Sequence, residues 1–111
     1  MINYSKMMLS SIKANMDEAA IEEENKRKRQ EAIKAAINVA HVLADKGVLH
    51  SMRHSVDAFG EHLGLTVIDP KEVLISIDIR DAQTLDVLMQ MLKTFYPEMR
   101  GVFDQAMREE Q

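Results

Sequence analysis

The chain has 111 residues, 46% of them apolar and 29% charged, and carries a formal net charge of −4. That length suits one small domain with an arm. Zero cysteines exclude a disulfide scaffold, a thiol nucleophile and any thiolate metal site, and fit a reducing, cytoplasmic setting. No apolar run approaches the roughly 20 residues of a membrane span, so neither a span nor a signal-peptide core is expected.

Nine methionines beside three Phe, two Tyr and no Trp favour helices with adaptable apolar faces over a β-sandwich core. Charge is uneven: residues 1–30 sum to +1, 31–64 to −1 and 65–111 to −4. An acidic C-terminal half is a poor counter-surface for phosphates, whose neutralisation by Lys and Arg supplies most nucleic-acid affinity.

The first predicted element runs from Ser5 to about Arg29. Leu9, Ile12, Met16 and Ala19 recur at a 3,4,3 spacing and line one helical stripe. Ser5 is a candidate N-cap. From Glu22 to Arg29 no apolar residue occurs, but Glu22–Lys26, Glu23–Arg27 and Glu24–Lys28 set acid before base at i,i+4. The block therefore reads as a solvated helix, favoured over a Lys-Arg-Lys-Arg nucleic-acid patch because three glutamates neutralise the field.

Glu31 to Lys46 is the strongest helix in the sequence. Ala32, Ile33, Ala36, Ile37, Ala40, Leu43 and Ala44 form a broad stripe that Lys46-Gly47 terminates. Without Gly or Pro between Ser5 and Lys46, one rod of about 60 Å, or two collinear helices, is expected. Val48–Leu63 reads as a second helix, because Leu49, Met52, Val56, Phe59 and Leu63 keep a 3,4,3,4 seam. Leu65–Asp69 and Val73–Ile79 then flank a turn-rich Asp69-Pro70-Lys71-Glu72 and read as a β-hairpin. Asp81 is an N-cap for a helix bearing Leu85, Leu88, Met89, Leu92 and Phe95, which Pro97 ends. Met99, Val102, Phe103, Ala106 and Met107 mark a short closing helix. The predicted class is α+β and mostly helical, with an arm over 1–30 and a small domain over 31–111.

Candidate chemistry is sparse. On the predicted helix 48–63, His50 and His54 at i,i+4, continued by Asp57 and Glu61, have ligand spacing for a divalent metal or for a pH-sensitive strip. His41 and His62 read as boundary residues. No serine lies in a nucleophile elbow and the four glycines form no phosphate loop, so neither an enzyme nor a cofactor is expected. Asp78 and Asp81 straddle a strand end, and the second is assigned to capping.

Two functional classes follow. The preferred one is a non-enzymatic, homo-oligomeric interaction module, a dimer or coiled coil of the accessory or regulatory kind found in bacteria and phages. Its interface is built on Met8, Leu9, Ile12, Met16, Ile33, Ile37 and Ala40. The other is a winged-helix regulator that uses helix 48–63 for recognition and sets Arg53, His54 and Lys71 against nucleic acid.

Overall fold

A computed structural model describes residues 4–108, with side chains from residue 19 onward. The chain begins with one unbroken helix, α1, spanning Tyr4–Asp45. Its 42 residues correspond to about 63 Å at 1.5 Å per residue, and the longest dimension of the molecule is 73 Å.

Two halves of α1 meet different surroundings. Every side chain from Ala19 to Glu31 is exposed. Arg27 holds this stretch with Nη2 2.5 Å from Glu24 Oε1 and Nη1 3.6 Å from Glu31 Oε1, in place of the expected Glu23–Arg27 pair. From Ala32 onward the helix is core: Ala32, Ile33, Ala36, Val39, Ala40 and Leu43 are buried. Small alanines on this stripe let the helix axis come close to its neighbours. Gly47, at φ 74°, then turns the chain out of the helix, and the Val48 N–H donates to the Leu43 carbonyl.

The predicted helix over 48–63 does not exist. Leu49–Asp57 is a strand, β1, and Gly60–Ile68 is a second strand, β2, paired antiparallel to it. Alternation decides the conformation. Leu63, Leu65 and Val67 are buried while His62, Gly64 and Thr66 between them are not, a period of two that a helix cannot present. The reversal is made by Asp57-Ala58-Phe59-Gly60. There Asp57 Oδ1 accepts the Phe59 N–H at 2.8 Å, and Gly60 takes φ 117°. Gly60, which would weaken a helix interior, is instead the residue that lets the hairpin turn.

The second hairpin turns at the predicted Asp69–Glu72 connector, although β2 begins at Gly60 instead of Leu65. Leu74–Ile79, β3, pairs antiparallel with β2 and completes a three-stranded sheet in the order β1-β2-β3. Asp69 closes the connector, its Oδ1 accepting the N–H groups of Lys71 and Val73 at 2.8 Å each. Asp81 caps α2, Ala82–Phe95, through a capping box with Thr84. A turn of 3₁₀ helix at Pro97–Met99 leads into α3, Arg100–Arg108.

The result is a two-layer α+β fold. Residues directly opposite one another in a sheet share a face, so Leu63, Leu65 and Val67 of β2 and Ile75, Ile77 and Ile79 of β3 all point to the helical layer. There they meet the inner stripe of α1, Leu85, Leu88, Met89 and Leu92 of α2, and Phe103 and Ala106 of α3. Asn38 Nδ2 ties α1 to α3 by donating to the Ala106 carbonyl at 3.4 Å, and the Tyr96 hydroxyl crosses the layers by donating to the Ile68 carbonyl of β2. The opposite sheet face has no helix over it among the described residues. No helix among them is long and apolar enough to cross a membrane.

Candidate interaction surface

Because 48–63 is a hairpin, the residues singled out on it are redistributed. The four-residue strip of His50, His54, Asp57 and Glu61 is dissolved. His50 sits at a register irregularity between Leu49 and Ser51, and His54 and Asp57, three apart on a strand, project to opposite faces. A metal site on His50, His54 and Asp57 therefore has no geometric basis, and among the described residues no group of three His, Cys, Asp or Glu side chains is placed to hold a metal ion. One expected neighbour survives by a different route. His54 Nε2 lies 2.5 Å from Glu61 Oε1, across the hairpin instead of two turns along a helix.

The winged-helix reading loses its recognition helix for the same reason. Arg53 and His54 are adjacent on β1 and project to opposite faces, and Lys71 belongs to the β2–β3 connector. Of the apolar interface set, Ile33 and Ala40 are each 1% exposed and Ile37 packs against the core, so the chain's own body consumes them. The side chains of Met8, Leu9, Ile12 and Met16 lie outside the described residues.

Two groupings emerge that the sequence did not announce. The first is a ring on the open sheet face. Arg80 donates from Nη2 to Asp57 Oδ2 at 2.9 Å and from Nε to Asp78 Oδ2 at 2.8 Å. His62 closes the circuit, with Nδ1 2.9 Å from Asp78 Oδ1 and Nε2 3.6 Å from Asp57 Oδ2. One residue comes from β1, one from β2, one from β3 and one from just beyond it, so the ring ties the three strands at the tip end of the first hairpin. The sequence signal was the alternation Asp78-x-Arg80, two residues of one strand face, which becomes visible only once β3 has its register.

The hydrogen bond from Arg80, followed by the Phe59 N–H, holds the Asp57 carboxyl below the usual carboxylate range. A carboxyl whose folded value is depressed contributes stability above its ordinary range, and that contribution is lost as pH falls through the folded value. The thermal midpoint of the protein should therefore drop in acid, and Arg80→Met should lower the neutral-pH midpoint and flatten the acid slope. Equal slopes in the two proteins, read by calorimetry across the acid range, would show that the ring does not set the titration.

The second grouping is apolar. On β1 the side chains facing the helical layer are Met52, His54 and Val56, opposite Leu65, Leu63 and Glu61. α1 covers β2 but leaves this edge bare: Met52 is 43% and Val56 77% exposed, and Phe59 at the tip is 85% exposed. Beneath the tip a cleft of about 470 Å³ opens between Val56, Phe59 and Glu61 on one side and Lys26, Arg29 and Ile33 of α1 on the other. The outer backbone edge of β1 pairs with no strand among the described residues. The sequence carried this signal too, in the alternation Met52-x-His54-x-Val56, but the helical seam shares two of those residues and masked it. Comparisons of the chain with protein-family models, with curated proteins and with solved structures return no match.

Proposed function

We propose that this protein is a non-enzymatic, cytoplasmic interaction module of the accessory or regulatory kind, and that it self-associates through the outer half of α1. The observation that carries the reading is the division of that helix. Before Ala32 the described part of the helix packs on nothing: every side chain from Ala19 to Glu31 is in solvent, Ile21 at 58%. Upstream, the helix continues through Leu9, Ile12 and Met16, whose spacing sets them on one stripe with Ala19. An apolar stripe on a rod that leaves its domain is stabilised when a second apolar surface covers it, and methionine suits such a contact by conforming to irregular partners.

The test is the mass of the full chain in solution. Ile12→Asp combined with Met16→Asp should reduce the light-scattering mass by at least about a factor of two while leaving the unfolding transition of the body in place, because the buried stripe of α1 begins only at Ala32. An unchanged mass would overturn the reading.

A further inference from the structure

We infer that β1 is a second, independent interface, and that its occupant is the β1 strand of another copy of this chain, paired antiparallel about a two-fold axis to make a continuous six-stranded sheet. An edge strand offers a row of backbone donors and acceptors that pairs with any strand able to reach it, and natural edges are usually short, charged, bulged at mid-length or covered. β1 is nine residues long, and its one register irregularity lies at the Leu49 end, leaving Met52–Asp57 in regular register. The helix-facing side of that regular stretch exposes Met52 and Val56, which belong to the same face as the core yet stay largely uncovered among the described residues.

The pattern along the strand selects a second copy over a foreign strand, because β1 complements itself. A two-fold axis normal to a sheet preserves faces, so a self-paired strand has a single residue opposite its own copy. With His54 on the axis, Met52 of each copy stands opposite Val56 of the other, giving two apolar pairs over the bare edge. On the open face, Arg53 stands opposite Ser55 of the other copy and diagonal to its Asp57, within the roughly 7–8 Å that a long side chain spans. Arg53 has no ion-pair partner among the described residues, and its four-residue offset from Asp57 equals that of Met52 from Val56, so one register satisfies both faces. Counting His as neutral, the strand's net charge is zero, and pairing it with itself adds no repulsion.

The geometry also keeps this interface apart from the arms. α1 ends beside the start of β1 and passes the hairpin tip at Lys26–Ile33, so it runs antiparallel to the strand. Antiparallel pairing of two copies sends their arms out at opposite ends of the joined sheet, where they remain available for other contacts.

The chain has no cysteine, so single introduced thiols report proximity without background. Antiparallel neighbours have Cα atoms about 4.5–5.5 Å apart, inside the range a disulfide accepts. Under mild oxidation of the full-length protein, His54→Cys should form a covalent dimer. Met52→Cys and Val56→Cys should each remain mostly monomeric alone and cross-link when mixed. The double variant Met52→Lys, Val56→Lys, which alters only exposed side chains, should lose β1 pairing and at least halve the mass by light scattering. The Ile12→Asp, Met16→Asp chain should still give the His54→Cys cross-link. No cross-link at 54, or equal cross-linking of 52, 54 and 56 alone, would overturn the inference. A mass that falls with the arm variant but not with the β1 lysines would overturn it while leaving the arm reading intact.

Discussion

Leu63→Ala lowers the free energy of unfolding by about 2–5 kcal/mol, whereas Phe59→Ala changes it by no more than about 0.5 kcal/mol. Four residues apart, the two share one helical seam in the sequence, and a helix over 48–63 would bury both. In the folded chain they part company. Leu63 lies on the central strand with the helical layer above it and is 0% exposed, while Phe59 occupies the hairpin tip at 85% exposure. Truncating Leu63 removes apolar atoms from the core and leaves a cavity whose walls, the α1 stripe and Ile79, are fixed by their own packing. Truncating Phe59 removes only solvated surface. Because domains of this size are stable by about 5–15 kcal/mol in all, the first change takes a large share of the total. Urea unfolding of both variants at protein concentrations low enough to avoid association decides the matter. Comparable losses at the two sites would restore the helical seam.

That contrast locates what was legible in the sequence. The helical character of α1 was, because a long stretch without Gly or Pro and a broad Ala-rich stripe favours helix throughout, although that pattern does not separate one continuous helix from two collinear ones. The β2–β3 hairpin and α2 were legible as well, through the strict alternation of Val73 to Ile79 and the Asp81 cap. The segment 48–63 was not. A 3,4,3,4 spacing and a period of two share many positions over a short window, and Met52 and Val56 satisfy both. What decides between them is tertiary: β2 must lie between β1 and β3, and only a strand offers Leu63, Leu65 and Val67 to α1 while pairing on both edges. Terminal signals near Gly60 were available to either reading, since a glycine weakens a helix interior and also serves a tight turn.

The candidate surface was legible only in part. Once 48–63 is a hairpin, His54 and Glu61 meet across it, and Asp57 turns to the other face, where Arg80 and His62 receive it. The partners in the ring could not be chosen without the register, because His62 and Asp78 are 16 positions apart and Asp57 and Arg80 are 23. The arm's stripe over Leu9, Ile12 and Met16 is visible in the sequence alone. The bare edge of β1 is not, since exposure depends on where α1 comes to rest. Ile33, Ile37 and Ala40 show the converse error: an apolar helical stripe does not say whether its cover is another protein or the same chain folding back.

Phe103→Ala is the change that tests that folding back, and its cost is about 3–5 kcal/mol. α3 has nine residues, shorter than the roughly 12–15 at which an isolated helix becomes even marginal in water, so it exists because it is packed. Phe103 is its anchor, 0% exposed and among the largest fully buried side chains, with Ala106 beside it and the Ala106 carbonyl accepting from Asn38 of α1. Removing the ring empties space between α3 and the inner half of α1, and the helix cannot refill it, because Val102 and Gln105 on either side face solvent. The adjacent substitution Val102→Ala, at a position 39% exposed, is the control and should cost less than about 1 kcal/mol. Chemical denaturation gives the difference, and amide exchange locates it: α3 amides should lose protection in Phe103→Ala before those of β2 do. Similar costs at 102 and 103 would mean that α3 does not cover α1. The inner stripe of Ile33, Ala36 and Ala40 would then need a partner's surface after all, and the division of α1 into a self-packed half and a free half would fail with it.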